Sequence, residues 1–265
     1  MISEDGFLSP SIARWRMVHE KRNAGWFSFA RELNQLAHLM QKAIVTPPPS
    51  EKNVIFLARL LFLKCLTSYQ AAIVLATHGL TSDAQAVLRS GFESLFCLGA
   101  CKSDPDIIEK LSAADIRHKK TVGRELLGFP DGLKLGEQAE SKIKKFLDLH
   151  PEKGNWLDVS KLAKSAELAE AYSVYYRSLS YDAAHVTASS LQRFFEAVGN
   201  EVDLKYGPDV LDVGTTLAYS CVLGLYLLKI ATDVFTAPTI DERLLALWPK
   251  YKALLAETYP EKSGD

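Results

Sequence analysis

The chain has 265 residues, 48% of them apolar and 24% charged, with 31 Lys and Arg against 32 Asp and Glu. A chain of this size and composition buries a large core without disulfide or metal support. Its near-zero charge excludes the overall basic footprint of a general nucleic-acid-binding protein, although it leaves room for a local basic groove.

The start, Met1-Ile2-Ser3-Glu4-Asp5, is acidic and has no apolar signal-peptide core, so a cytoplasmic protein is expected. Residues 11–45 carry Trp15, Val18, Trp26, Phe29, Leu33, Leu36 and Met40 at helical spacing and predict one or two amphipathic helices. Pro47-Pro48-Pro49 then forms a stiff connector, and Ser50 is the expected N-cap of a long helix from Glu51 to Thr77, ended by Gly79 in a left-handed conformation. Thr81 or Ser82 caps the next helix, to Lys102, and Asp104-Pro105 opens another that runs to Leu127. A helix over 134–149, a helix pair or interrupted helix over 160–197, a long apolar helix from Asp209 to Phe235 and a last helix capped by Asp241 complete the series. Nothing alternates as strands do over several segments, so no sheet is expected.

The fold class is therefore all-α, a bundle of roughly eight helices joined by short connectors. Its expected organisation is an N-terminal helical extension with a proline-rich connector over 1–50, a bundle over 51–259 and a disordered tail over 260–265. Residues 65–82 and 213–228 are uncharged, but Gln70, His78 and Gly79 interrupt the first and Thr215, Thr216, Tyr219 and Ser220 the second. Both read as core helices rather than membrane spans. Cys65, Cys97, Cys101 and Cys221 form no CxxC pair and read as buried free thiols.

Two segments carry charge or chemistry against this apolar background. One is Arg89-Ser90-Gly91-Phe92-Glu93. The other runs Tyr175-Tyr176-Arg177-Ser178-Leu179-Ser180-Tyr181-Asp182-Ala183-Ala184-His185, followed by Ser190-Leu191-Gln192-Arg193. Together, over residues 55–235, these resemble a bacterial family catalogued as domain of unknown function 5677. There a Tyr-Arg-x-Leu-Ser run precedes an Asp-Ala-x-His segment and often a Ser-Leu-x-Arg segment. Val186 stands here where that family usually has proline. The family is distantly similar to HEPN helical bundles, many of which are ribonucleases or toxin components. HEPN enzymes place four to six residues between Arg and His, whereas seven separate Arg177 from His185. The resemblance implies an HEPN-like core and a metal-independent ribonuclease or toxin-type effector in phage defence or a stress response. It also implies a homodimer with a composite site, whose interface Trp15, Trp26 and Phe29 could cover, and RNA, a nucleotide or an antitoxin-like partner protein as the bound species. No cofactor and no membrane are expected.

On a continuous helix Arg177, Tyr181 and His185 share a face, with Arg177 and His185 about 12 Å apart along the axis. Arg binds phosphate through its fork and His exchanges a proton near neutral pH, which suits phosphodiester cleavage by an internal hydroxyl. Arg177 and His185 are the expected catalytic pair. Arg89, Glu93, Ser180 and Asp182 support them, and Tyr181 stacks a base or positions the 2′-hydroxyl. The same residues also fit a purely structural pattern, with His185 bonded to a carbonyl and Arg177 paired with Glu93. A third pattern is a metal site in which Asp115-x-x-His118 and Asp182-x-x-His185 share an ion with Glu93 and Asp212. A non-catalytic helical module that binds a nucleotide or a partner protein is the alternative function.

Overall fold

Glycines, prolines and side-chain caps divide the chain into helices, and the most apolar of these form the centre. The computed structural model describes residues 5–44, 53–130, 136–150, 156–181, 186–198 and 201–260. The N-terminal part gives α1 (Ala13–Arg22) and α2 (Ala24–Ala43); then come α3 (Val54–Thr77), α4 (Thr81–Ser103), α5 (Ile107–Leu127) and α6 (Glu137–Leu149). Short pieces follow: α7 (Val159–Ser165), α8 (Ala169–Ala171), a π-helical turn (Tyr172–Tyr176) and α9 (Arg177–Leu179), the last three without a break. After α10 (Ala188–Gln192) and a hairpin of β1 (Phe195–Val198) and β2 (Glu201–Leu204), the chain closes with α11 (Val213–Phe235), α12 (Pro238–Leu245) and α13 (Leu247–Thr258). The protein is an all-α helical bundle.

α11 is apolar around most of its surface and lies at the centre, packed against α2, α3, α4, α12 and α13, with Lys229 and Asp233 paired on its outer side. α3 and α4 form an antiparallel hairpin, the most extensive helix pair. Their turn depends on Gly79, whose φ of 73° is costly for any residue with a Cβ. The sharp approach of α4 to α7 depends on Gly99, where a Cβ would collide with Ala166. Buried polar groups are paired across helices: Tyr69 donates to the Ala30 carbonyl at 2.6 Å and Gln85 Nε2 to Thr216 Oγ1 at 3.1 Å. α3 and α11 are both long and apolar enough to cross a membrane; α11 is mostly buried within the bundle and α3 less so. α5 and α6 pack chiefly on each other and bury little.

Several expectations are corrected. Asn53, not Ser50, caps α3, accepting from the backbone N–H groups of Ile55 and Phe56; Ser50 lies outside the described residues. Neither Thr81 nor Ser82 caps α4. The Thr81 hydroxyl donates instead to Asp209, and Leu80 holds the cap position without a side-chain bond. Asp209 does not begin α11 but accepts from the backbone of Leu211 and Asp212 in the turn before it. Asp241 sits inside α12, and the break that separates α12 from α13 falls at Ala246, with Pro249 in the first turn of α13, where its missing N–H costs nothing. The antiparallel hairpin of β1 and β2, with Val198 opposite Glu201, was not expected. Trp26 and Phe29 are buried against Tyr251 in the main core, so they are not available to an intermolecular interface. All four cysteines are free and buried.

Candidate functional site

The apolar spacing of Tyr172, Tyr175, Tyr176 and Leu179 turns this segment toward α4. Tyr175 stacks on Phe92 with ring centroids 5.9 Å apart and planes 7° from parallel. Tyr176 meets Phe96 edge-on at 5.8 Å and stacks on Tyr172 at 5.2 Å. These ring contacts fix the register of the two helices. The π-helical turn that carries the three tyrosines is a backbone form often found at functional sites.

Arg89 and Glu93, one turn apart on α4, face this segment and form a closed set of contacts with it. Arg89 donates through Nε to Ser180 Oγ at 2.9 Å and through Nη2 to Tyr176 Oη at 3.0 Å. Tyr176 in turn donates to Glu93 Oε1 at 2.8 Å, and the same carboxylate oxygen pairs with Arg89 Nη2 at 3.1 Å. The Arg89 guanidinium also lies over the Tyr176 ring, 5.1 Å from its centroid. Burial raises the Tyr176 pKa above the ordinary phenol value, and the bond to Glu93 raises it further, while Arg89 opposes both. Tyr176 therefore stays a neutral donor to Glu93. The Arg89 and Glu93 side chains remain 31% and 35% exposed. Arg89 Nη1 and Glu93 Oε2 have no partner among the described residues, so each offers a group to a ligand.

Of the residues expected at the site, Arg89, Glu93 and Ser180 come together. Arg177 points outward and makes no hydrogen bond or ion pair among the described residues. Tyr176, its neighbour, meets Glu93, which removes the pairing of Arg177 with Glu93. Tyr181 is 57% exposed. Asp182 and His185 lie outside the described residues. Val186 is exposed, and a new helix starts at Ala188 under a capping box of Thr187 and Ser190. Tyr176, which bonds both Arg89 and Glu93, is the member of this set that reading the sequence missed. Its signal was the tyrosine spacing opposite a charged pair one turn apart. Asp115 is engaged by Lys119 at 2.6 Å, and no three His, Cys, Asp or Glu side chains form a metal-binding group among the described residues.

A second feature lies elsewhere. A cavity of about 800 Å³ opens between the start of α4, the end of α10, the hairpin and the segment 205–212, with Phe7 of the N-terminal 3-10 turn (Gly6–Leu8) on one wall. Arg193 lines it, and its Nε and Nη1 are buried without an acceptor. On the adjoining side His19 is fully buried, stacked on Trp15, with neither ring nitrogen bonded.

No curated protein and no solved structure matches the chain. The profile of the family of unknown function DUF5677 matches residues 55–202, more than half of the chain and the part that holds both Arg89-x-x-x-Glu93 and the Tyr176–Ser180 segment. The chain belongs to the family of unknown function DUF5677.

Proposed function

We propose that the protein is a cytoplasmic, HEPN-like ribonuclease of the toxin or effector type, active without a metal in phage defence or a stress response. The observation that carries this reading is the meeting of the two family motifs. Arg89 and Glu93 are held by Tyr176 and Ser180 on the helical segment that bears Arg177 and Tyr181 and leads to His185. In this reading Arg177, with the spare Nη1 of Arg89, holds the scissile phosphate and balances charge as the 2′-oxygen attacks phosphorus and the P–O5′ bond breaks. His185 moves the proton from the 2′-hydroxyl or to the leaving 5′-oxygen, Tyr181 stacks the neighbouring base, and Asp182 orients His185. The protein is expected to act as a homodimer whose interface does not include Trp26 or Phe29.

The test is cleavage of total RNA by purified protein, with and without chelator. Arg177→Ala and His185→Ala should each lower the rate by ~10²–10⁴ without lowering the melting temperature. Absence of cleavage by the wild type, with both variants melting early, would refute the catalytic reading. The second reading is a non-catalytic module that binds a nucleotide or partner protein. It is favoured by the way Arg89, Glu93, Tyr176 and Ser180 hold one another while Arg89 Nη1 and Glu93 Oε2 keep no partner among the described residues. RNA binding without cleavage, lost in Arg177→Ala, would select it.

A further inference from the structure

The hairpin of β1 and β2 sorts its side chains by chemistry onto two faces. In its antiparallel register Phe195 stands opposite Leu204, and Glu196 stands opposite Asp203. Side chains alternate along a strand, so Phe195, Val202 and Leu204 share one face, with Tyr206 next in the alternation. Glu196, Glu201, Asp203 and Lys205 fall on the other face, and the bond from Lys205 to Glu196 at 3.0 Å agrees with this division. Carboxylates directly opposite each other repel, so the charged face belongs in water. The apolar face is uncovered as well: Phe195 is 41% exposed, Val202 66%, Leu204 79% and Tyr206 72%.

A two-stranded hairpin has little stability by itself and needs a further strand or a packed face. Among the described residues it finds little of either. It touches chiefly α10 and, through Tyr206, the N-terminal 3-10 turn, where Phe7 meets Tyr206 edge-on at 5.9 Å. That turn also carries Leu8, 91% exposed, to the border of the face. At ~150–250 Å² for a large side chain, Phe195, Val202, Leu204, Tyr206 and Leu8 together expose roughly 600–700 Å². Two such faces brought together cover about 1,200–1,400 Å², enough for a small specific interface between proteins. Charge selects the occupant. Three carboxylates against one lysine on the back of the hairpin disfavour an anionic membrane. A second copy of the same face sets no charge against charge, because all four ionisable groups stand on the far side, and a two-fold contact is self-complementary.

We propose that the apolar face of the β1–β2 hairpin is the contact between two copies of this chain, packed face to face across a two-fold axis, with Val202 and Leu204 as its main anchors. It gives the expected homodimer a definite interface, but it stands on the hairpin alone and does not depend on the ribonuclease reading.

The experiment is sedimentation velocity of the full chain, with circular dichroism to follow the fold. The wild type should form a dimer with a Kd of about 10 µM or tighter, and about 0.5 M salt should not weaken it, since no ion pair holds it. Val202→Asp and Leu204→Asp should each weaken the dimer about tenfold or more. Both side chains are exposed in the protomer, so the helical signal of these variants should match that of the wild type. Asp203→Asn, on the charged face, should dimerise as tightly as the wild type to within about twofold. Four results would overturn the proposal: a wild type that stays monomeric, a dimer that survives both aspartate substitutions, assembly that grows beyond two copies, or loss of the helical signal in both variants. A dimer that survives them moves the interface elsewhere and leaves the homodimer itself standing. RNA cleavage is scored separately, so a dimeric wild type that cleaves nothing would refute the ribonuclease reading and leave this interface in place.

Discussion

Tyr176→Phe removes one oxygen and keeps the ring, so it isolates the hydrogen bonds that tie the tyrosine segment to α4. That oxygen donates to Glu93 at 2.8 Å and accepts from Arg89 at 3.0 Å. A hydrogen bond to a charged group contributes ~1.5–3 kcal/mol. Both partners are about a third exposed and keep each other at 3.1 Å, so water and the remaining ion pair recover much of the loss. The ring contacts with Phe96 and Tyr172 survive the change. The net cost should be ~1–2 kcal/mol, a melting temperature lower by roughly 2–6 °C for a chain of this size. Thermal and urea unfolding of Tyr176→Phe, Glu93→Gln and the double variant give both the cost and the coupling, which should be about 0.5–1.5 kcal/mol. A Tyr176→Phe protein as stable as the wild type, with zero coupling to Glu93, would refute the view that this oxygen joins the two motifs.

Gly79→Ala should destabilise by ~2–4 kcal/mol in urea unfolding, because φ is 73° and the added Cβ would lie 2.6 Å from Pro208 Cβ. Gly128→Ala, at a φ of −87° with no contact under 3.4 Å, is the control and should be neutral or stabilising by up to ~1 kcal/mol. Burial lowers the His19 pKa below 6.5, with Asp209 opposing and Arg22 and His78 adding to the fall. The unfolded chain therefore takes up a proton that the folded chain resists, and this contribution to stability is full above pH 6.5 and lost as pH falls toward the folded value. The stability of wild type relative to His19→Phe should decline from pH 7 to pH 5, and parallel curves would contradict this. Burial pushes the Cys97 and Cys101 thiols up to about 11 and about 12, and those of Cys65 and Cys221 higher still. Native protein at pH 8 should not react with a thiol reagent in minutes, whereas all four thiols should react in guanidinium.

Much of the helical plan was readable from local signals. The apolar runs that became α3, α4 and α11 were identified with the right order and nearly the right ends, and Gly79 ends α3 in the left-handed conformation its position implied. The spacing of Tyr172, Tyr175, Tyr176 and Leu179 places Arg177 on the outer side of its helix, which favours the reading with a free guanidinium over the structural alternative of a pair with Glu93. Phe195-Glu196-Ala197-Val198 and Glu201-Val202-Asp203-Leu204 flank Gly-Asn, a two-residue hairpin signal outweighed by the helical pattern upstream.

Other features had no local signal. Periodicity tells which face of a helix is buried, not which partner it meets, because partners are set by packing between residues far apart in sequence. The contact of Arg89 with Tyr176 spans 87 positions and that of Thr81 with Asp209 spans 128, so neither leaves a trace in any short window. Trp26 and Phe29 look alike whether they face a second subunit or Tyr251, and only the closing of α13 onto α2 buries them within the chain. Arg193 is in the same position. Its sequence motif marks it, but that its Nε and Nη1 are buried without a partner follows from where the elements around it come to rest. The chain's own residues determine that it folds as an apolar helical bundle; which charged groups end up paired is decided only when distant helices meet.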